Sequence, residues 1–200
     1  MNPFERFTGA IVPLDRSNVD TDQIVPKQFL KLVTRANFGN YLFYDWRFDS
    51  SGTPKPDFAL NQKRYSCASI LLARSNFGCG SSREHAAWAI SDYGFRSIIA
   101  SSFADIFYNN CFKNGILPII ASTDVVSELF RLTFSDEKYL LTVNLEEQIV
   151  TGPNEYSFKF DVEAFLKKRL LEGLDDVALT LAHEDLISAY EKSVNLYVPS

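Results

Sequence analysis

The sequence predicts a single α/β domain with a parallel βαβαβ core, additional antiparallel strands, and helices packed on the sheet. Short apolar runs of strand length alternate with helix-spaced stretches through the middle third of the chain. Alternating apolar and polar pairs around a Gly-Pro-Asn turn fill the last third. The 200 residues, 46% hydrophobic, suffice for one sizeable core and not for two. One domain over residues 1–200 is therefore expected, with a helical tail over about 162–195 packed on it.

Taken in order, Gly9-Ala-Ile-Val-Pro-Leu14 reads as a first strand running into the polar turn Asp15 to Asp22. Lys27-Gln-Phe-Leu-Lys-Leu32 is helix-like, and the text up to Phe48 is aromatic and irregular. Asp49 to Pro56, with Gly52, Pro54 and Pro56 among polar residues, reads as a loop. Ser69-Ile-Leu-Leu-Ala73 is a short buried strand, followed by a glycine turn and a helix over Arg83 to Tyr93 that stops at Gly94. A second strand, Arg96 to Ala100, a helix over Phe103 to Lys113 and a third strand, Ile116 to Ile120, complete the pattern. Such a succession implies right-handed parallel crossovers. Val125 to Leu132 is helical. Tyr139 to Val143, Glu147 to Thr151 and Tyr156 to Phe160 alternate as antiparallel strands, and helices return over Val162 to Glu172 and Glu184 to Glu191.

A formal charge of -5 leaves no basic surplus for nucleic acid or an anionic membrane surface. The charged start Met1-Asn-Pro-Phe-Glu-Arg6 lacks the apolar stretch of a signal peptide, and no apolar run reaches membrane-spanning length, which points to the cytoplasm. Cys67, Cys79 and Cys111 are far apart and form no CxxC pair, so this chain is expected to carry no cluster or metal of its own. With only His85 and His183, a multi-histidine centre is excluded in the same way.

The chemistry is expected in Phe77-Gly-Cys-Gly-Ser-Ser-Arg-Glu-His85. Gly78 and Gly80 let the backbone pass close to a ligand, and the helix that follows aims N–H groups and a positive dipole end at it. Ser81, Ser82 and Arg83 add two hydroxyls and a forked guanidinium, suited to a planar carboxylate or a developing oxyanion. Open α/β sheets usually place ligands after a parallel strand in this way. Two other readings stand beside it. Ser81-Ser-Arg-Glu84 also fits the S-x-x-E capping box, in which Ser81 merely satisfies helix N–H groups. Cys79, between glycines at a strand-to-helix turn, also has the setting of a low-pKa nucleophile, with His85 as its nearest histidine in sequence.

The stretch Phe77 to Ala87 resembles the G-x-G-S-S-R-E-H-A signature of the swivel domain of the aconitase superfamily. The likeness extends over Asn18-Val-Asp-Thr-Asp-Gln-Ile-Val-Pro26, Asn37 to Phe48, Gly94 to Phe107 and Gly173 to Leu181, so that nearly the whole chain is similar to the small-subunit family of bacterial 3-isopropylmalate dehydratases. The resemblance implies a free-standing swivel domain that closes over a separate large subunit. That partner would carry a 4Fe-4S cluster, one iron of which acts as Lewis acid on the substrate, a small hydroxy-dicarboxylic acid. The implied reaction moves a hydroxyl between neighbouring carbons by dehydration and rehydration, in leucine biosynthesis.

Carried over by position, Ser81 would be the base that removes and returns the carbon-bound proton, Ser82 would hydrogen-bond a substrate carboxylate, Arg83 would hold it, and Gly80 would open the backbone to it. Asp20 and Asp22 are candidates to anchor an active-site arginine, Asp22 matching the family's T-D motif, although Asx-turn or N-cap use is the commoner fate. Lys27 or Arg35 would supply a second carboxylate contact, with a solvated surface charge as the alternative. Glu84 and His85, in the first helical turn, read as structural. The loop from Val33 to Phe43 is the candidate for selecting among isopropylmalate, citraconate-type and homoaconitate-type substrates. A non-catalytic carboxylate-binding module with the same fold is the alternative outside enzymes.

Overall fold

The computed structural model describes residues 1–31, 37–81, 83–136, 138–181 and 183–193. Seven strands form one sheet: β1 (Phe7–Leu14), β2 (Ala68–Ala73), β3 (Ser97–Ala100), β4 (Leu117–Ile120), β5 (Leu140–Asn144), β6 (Ile149–Thr151) and β7 (Ser157–Lys159). Their spatial order is β4-β3-β2-β1-β5-β6-β7. β1 to β4 are parallel neighbours, and β5, β6 and β7 add on antiparallel beyond β1. The predicted mixture of a parallel core and antiparallel additions is therefore present in one sheet, with β1 at the junction.

Side-chain alternation along the central strands separates two apolar layers. Val12, Leu14, Leu71, Ala73, Ile98 and Ala100 face one layer, whereas Ile11, Ile70, Leu72 and Ile99 face the other. Both faces are covered, which is why these strands read as continuous apolar runs rather than as alternating ones. Pro118 is tolerated because β4 is an edge strand, where a missing N–H costs no ladder bond.

Eight α-helices connect and cover the sheet among the described residues: α1 (Thr21–Ile24), α2 (Tyr44–Arg47), α3 (Glu84–Tyr93), α4 (Asp105–Lys113), α5 (Thr123–Ser135), α6 (Ala164–Leu171), α7 (Asp176–Leu181) and α8 (Glu184–Ser193). α3 buries Ala86, Ala87, Ala89 and Ile90 in the first layer. α5 buries Val126, Leu129 and Phe130 in the second, where Leu170 of α6 joins them. α4 lies between the two, with Phe107 and Cys111 in the first layer and Phe112 in the second.

The helix-like reading of Lys27 to Leu32 is corrected. Only a 3-10 turn, Lys27–Phe29, forms after Pro26, and residues 32–36 lie outside those described. Phe29 and Leu30 instead lean on the first apolar layer, and Phe29 stacks on Tyr41 at 4.1 Å between ring centres. α5 is longer than the expected Val125 to Leu132, because Ser122 caps it by accepting from the Val125 N–H. In the tail, Asp176 of α7 pairs with buried Arg169 at 2.6 Å, whereas Val177, Leu181, Leu186 and Tyr190 are exposed.

This burial pattern gives a paired expectation. Leu129→Ala, at 0% exposure, should cost about 2–5 kcal/mol, and Leu186→Ala, at 68% exposure, should stay within about 0.5 kcal/mol. Thermal melts of the two variants check it: a Leu129→Ala melting temperature no lower than that of Leu186→Ala contradicts the layer assignment.

Candidate active site

The turn after β2 is shaped by two close backbone approaches. Gly78 has φ +77°, and a Cβ there would lie 2.1 Å from Phe107 Cγ. Gly80 has φ +90°, and a Cβ would fall on the Asp20 carboxylate. Neither position accepts a side chain, for both conformational and steric reasons. The turn is bound to the chain end of β1 by backbone bonds: Gly78 N–H to Val19 O at 2.8 Å and Thr21 N–H to Cys79 O at 2.8 Å. On its other side, Phe77 N–H reaches Ser102 O and Ala104 N–H reaches Phe77 O, each at 3.0 Å. Three loops at the carboxyl ends of β1, β2 and β3 are thus joined.

They enclose a cleft of about 200 Å³ lined by Thr21, Gly78, Gly80, Ser81, Arg83 and residues 104–107 at the start of α4. α3 begins at Glu84 with Arg83 as N-cap, α4 begins at Asp105 with Ala104 as N-cap, and neither start has a side-chain cap. Two helix amino ends therefore offer positive dipole to the same small volume. A larger groove, about 520 Å³, lies by Met1, Trp88, Asp92, Lys113, Asn114 and Asp175. It sits at the carboxyl ends of α3 and α4, where dipoles disfavour an anion, and no hydroxyl-arginine turn borders it.

The capping-box reading of Ser81 is overturned, because Glu84 occupies the first helical position and not the third. A reciprocal capping box exists elsewhere, at α1: Asp20 Oδ1 accepts from Asp22 N–H at 2.6 Å, and Gln23 Oε1 accepts from Asp20 N–H at 2.9 Å. Ser81 is left with its hydroxyl 3.4 Å from Thr21 Oγ1. Glu84 Oε1 accepts from Asn114 Nδ2 at 3.3 Å, a tie between α3 and α4.

Arg83 Nη1 stands 2.9 Å from Asp22 Oδ1, and Lys27 Nζ stands 3.3 Å from Asp22 Oδ2. Asp22 therefore joins two of the predicted cations. The Arg83 contact is a charge pair without an aligned hydrogen bond, so both atoms keep hydrogen-bonding capacity although they are buried. Arg83 is 26% exposed and fixed, whereas Lys27 is 73% exposed and reaches in from the rim. Ser82 and Arg35, the remaining predicted ligands, lie outside the described residues.

The surroundings of Cys79 do not favour the cysteine alternative. Burial, with the Asp20 carboxylate adding to it, pushes the Cys79 thiol up and away from the thiolate a nucleophile requires. His85 packs on Trp88 at 4.5 Å and on Phe38 at 5.5 Å between ring centres, and burial pushes its imidazole below the ordinary value. His85 thus packs among aromatic rings of the first apolar layer. Among the described residues no group of three or more His, Cys, Asp or Glu could hold a metal ion, so these side chains do not fit a cluster.

Two contributors escaped the sequence reading. Thr21 is the threonine of the same T-D motif as Asp22, but no local pattern ties it to Ser81, because that partner is sixty residues away. The start of α4 could have been found by applying to β3 the rule that ligands collect after parallel strands, which had been applied to β2 alone.

Residues 1–124 match the family model described as the aconitase C-terminal domain, and residues 127–164 match one described as LeuD_N. The small subunit of 3-isopropylmalate dehydratase of Brevibacillus brevis is 57% identical over 96% of this chain and 98% of its own length. That of Marinobacter nauticus is 56% identical over 96% and 94%. The crystal structure of a 3-isopropylmalate dehydratase from Methanocaldococcus jannaschii superposes with a TM-score of 0.67 at 26% identity, covering 94% of this chain and 99% of that one. Turn, cleft and likeness over nearly the full length agree, and the chain belongs to the 3-isopropylmalate dehydratase small-subunit family.

Proposed function

We propose that this chain, paired with a separate large subunit, forms a hydro-lyase that interconverts 2-isopropylmalate and 3-isopropylmalate by dehydration and rehydration in leucine biosynthesis. The observation that carries the reading is the convergence of Ser81, the Asp22-held Arg83 and two uncapped helix starts on one small cleft. The three cysteines are free, in keeping with a reducing cytoplasmic setting. No helix among the described residues is long and apolar enough to cross a membrane.

Ser81 is the base that takes the carbon-bound proton. A serine alkoxide is unfavourable in water, and here the helix amino ends, the Arg83 guanidinium and exclusion of solvent by the closed partner compensate its charge. Arg83 binds a substrate carboxylate through its fork, with Asp22 fixing the orientation, and Gly80 leaves room for the approach. Ser82 hydrogen-bonds the same carboxylate. The second carboxylate is met by Lys27 or Arg35, of which Lys27 already stands beside Asp22. The 4Fe-4S cluster belongs to the large subunit and supplies Lewis acidity toward the departing hydroxyl.

Three expectations test this. In the reconstituted complex Ser81→Ala should lower kcat by at least ~10²-fold with little change in KM, and Arg83→Lys should raise KM although charge is kept. Near-normal kcat for Ser81→Ala removes the serine from the chemistry. Cys79→Ser should retain most of the activity, and a loss as deep as that of Ser81→Ala would return the cysteine to consideration. The purified chain alone should contain no stoichiometric iron and turn over none of several malate derivatives until the large subunit is added; the derivative processed fastest then identifies the substrate.

A further inference from the structure

We propose that Thr21 is a positioning residue for the Ser81 base, its one hydroxyl proton serving the carbonyl oxygen and the side-chain oxygen of Ser81 in turn. The inference builds on the assignment of Ser81 as base. Thr21 is 2% exposed, and its Oγ1 donates to Ser81 O at 2.9 Å while lying 3.4 Å from Ser81 Oγ. Its own position is set independently of the side chain. Thr21 N–H is bonded to Cys79 O at 2.8 Å, and Val25 N–H returns to Thr21 O at 2.9 Å. The branched Cβ further restricts χ1.

A hydroxyl has one proton to give and two lone pairs to offer. With Ser81 protonated, Thr21 donates to the Ser81 carbonyl and leaves a lone pair toward the Ser81 O–H. With Ser81 ionised, the alkoxide is the stronger acceptor, and a rotation of the Thr21 O–H transfers the bond to it without moving a heavy atom. As Ser81 Oγ takes the substrate's carbon-bound proton, the C–H electron pair becomes the second bond of the alkene, and the hydroxyl leaves the neighbouring carbon with the C–O bonding pair toward the large subunit, whose Lewis acidity would receive it. Ser81 is then neutral, and the Thr21 O–H turns back to the carbonyl. Rehydration has the opposite regiochemistry: Ser81 gives its proton to the carbon that lost the hydroxyl, the hydroxyl joins the carbon that lost the proton, Ser81 is again ionised, and Thr21 neither gains nor loses a proton.

A merely structural tie would hold the turn and act on Ser81 and Arg83 together, so the test must separate the two roles. It measures kcat, KM and melting temperature of the reconstituted complex for Thr21→Val and Thr21→Ser, each in the Ser81 and the Ser81→Ala backgrounds. The expected result is a kcat for Thr21→Val lower by roughly 10- to 100-fold, the worth of one hydrogen bond to a charged oxygen, at nearly constant KM. Thr21→Ser should recover most of it. In the Ser81→Ala background Thr21→Val should have no further effect, because the group it serves is gone. An equal loss in both backgrounds, or a rise in KM that accounts for the loss, overturns the inference while leaving Ser81 as base. Near-normal kcat for Ser81→Ala itself overturns the base assignment and this inference with it. Where Thr21→Val does not assemble, Thr21→Ser and Thr21→Ala, which differ by one hydroxyl, replace it: equal kcat in those two overturns the proposal, and a deficit confined to Thr21→Ala supports it.

Discussion

Residues 18–22 and 77–81 run side by side, close enough that a methyl group on residue 80 would occupy the space of the Asp20 carboxylate. Everything at the site depends on that approach. It allows Thr21 N–H and Cys79 O to bond, and it brings Asp22 within reach of Arg83. The second glycine does the same toward α4, since Gly78 is covered by the Phe107 ring. Two missing side chains thus set the distances among three loops, and the charged groups occupy places that the backbone has already fixed.

The sheet explains why these loops meet. β1, β2 and β3 are parallel neighbours, so their carboxyl ends lie at one edge, and each connection must leave from there. The junction of parallel and antiparallel pairing at β1 gives the molecule its two parts. One carries the cleft, and the other, from β5 to β7 with α5 and α6, closes the second apolar layer. Burial in that second part supports the site from a distance, through the sheet and through Phe112 at the far end of α4, which is why mutations there should register as stability rather than as kinetics.

How much of this could be read in the sequence follows from the range of the interactions involved. β2, α3, β3, α4 and β4 were legible because periodicity changes along the chain and glycines punctuate it. Between Pro26 and Tyr65 the loop from Asp49 to Pro56 was legible, and the packed stretch around Phe38 to Phe43 was not. Phe38, Leu42 and Phe43 are at 0% exposure, and Phe43 takes φ +50°, a left-handed conformation that a bulky residue rarely adopts. Its N–H bonds to Ile24 O at 2.7 Å, so tertiary packing, not local preference, sets the shape. At the site, Ser81, Arg83, Gly80 and Asp22 were legible through two short motifs. That Asp22 links Arg83 to Lys27, and that Ser81 is no helix cap, required knowing where α3 starts.

The state of the cleft in the isolated chain bears on why such a chain would work with a partner. Ile106, on the first turn of α4, lines the cleft and is 54% exposed, and Lys27 at the rim is more exposed still. In that condition water screens the helix dipoles and the guanidinium, and their stabilisation of an oxyanion falls to a small fraction of what a dry site would give. A serine base cannot be ionised usefully under those conditions. On the proposed reading, covering the cleft with the large subunit removes the screening and delivers the substrate in one step. The exposed Ile106 then becomes an apolar wall, not a surface defect. On that same proposed reading the small chain holds the base and the carboxylate anchor in place, and their strength depends on closure.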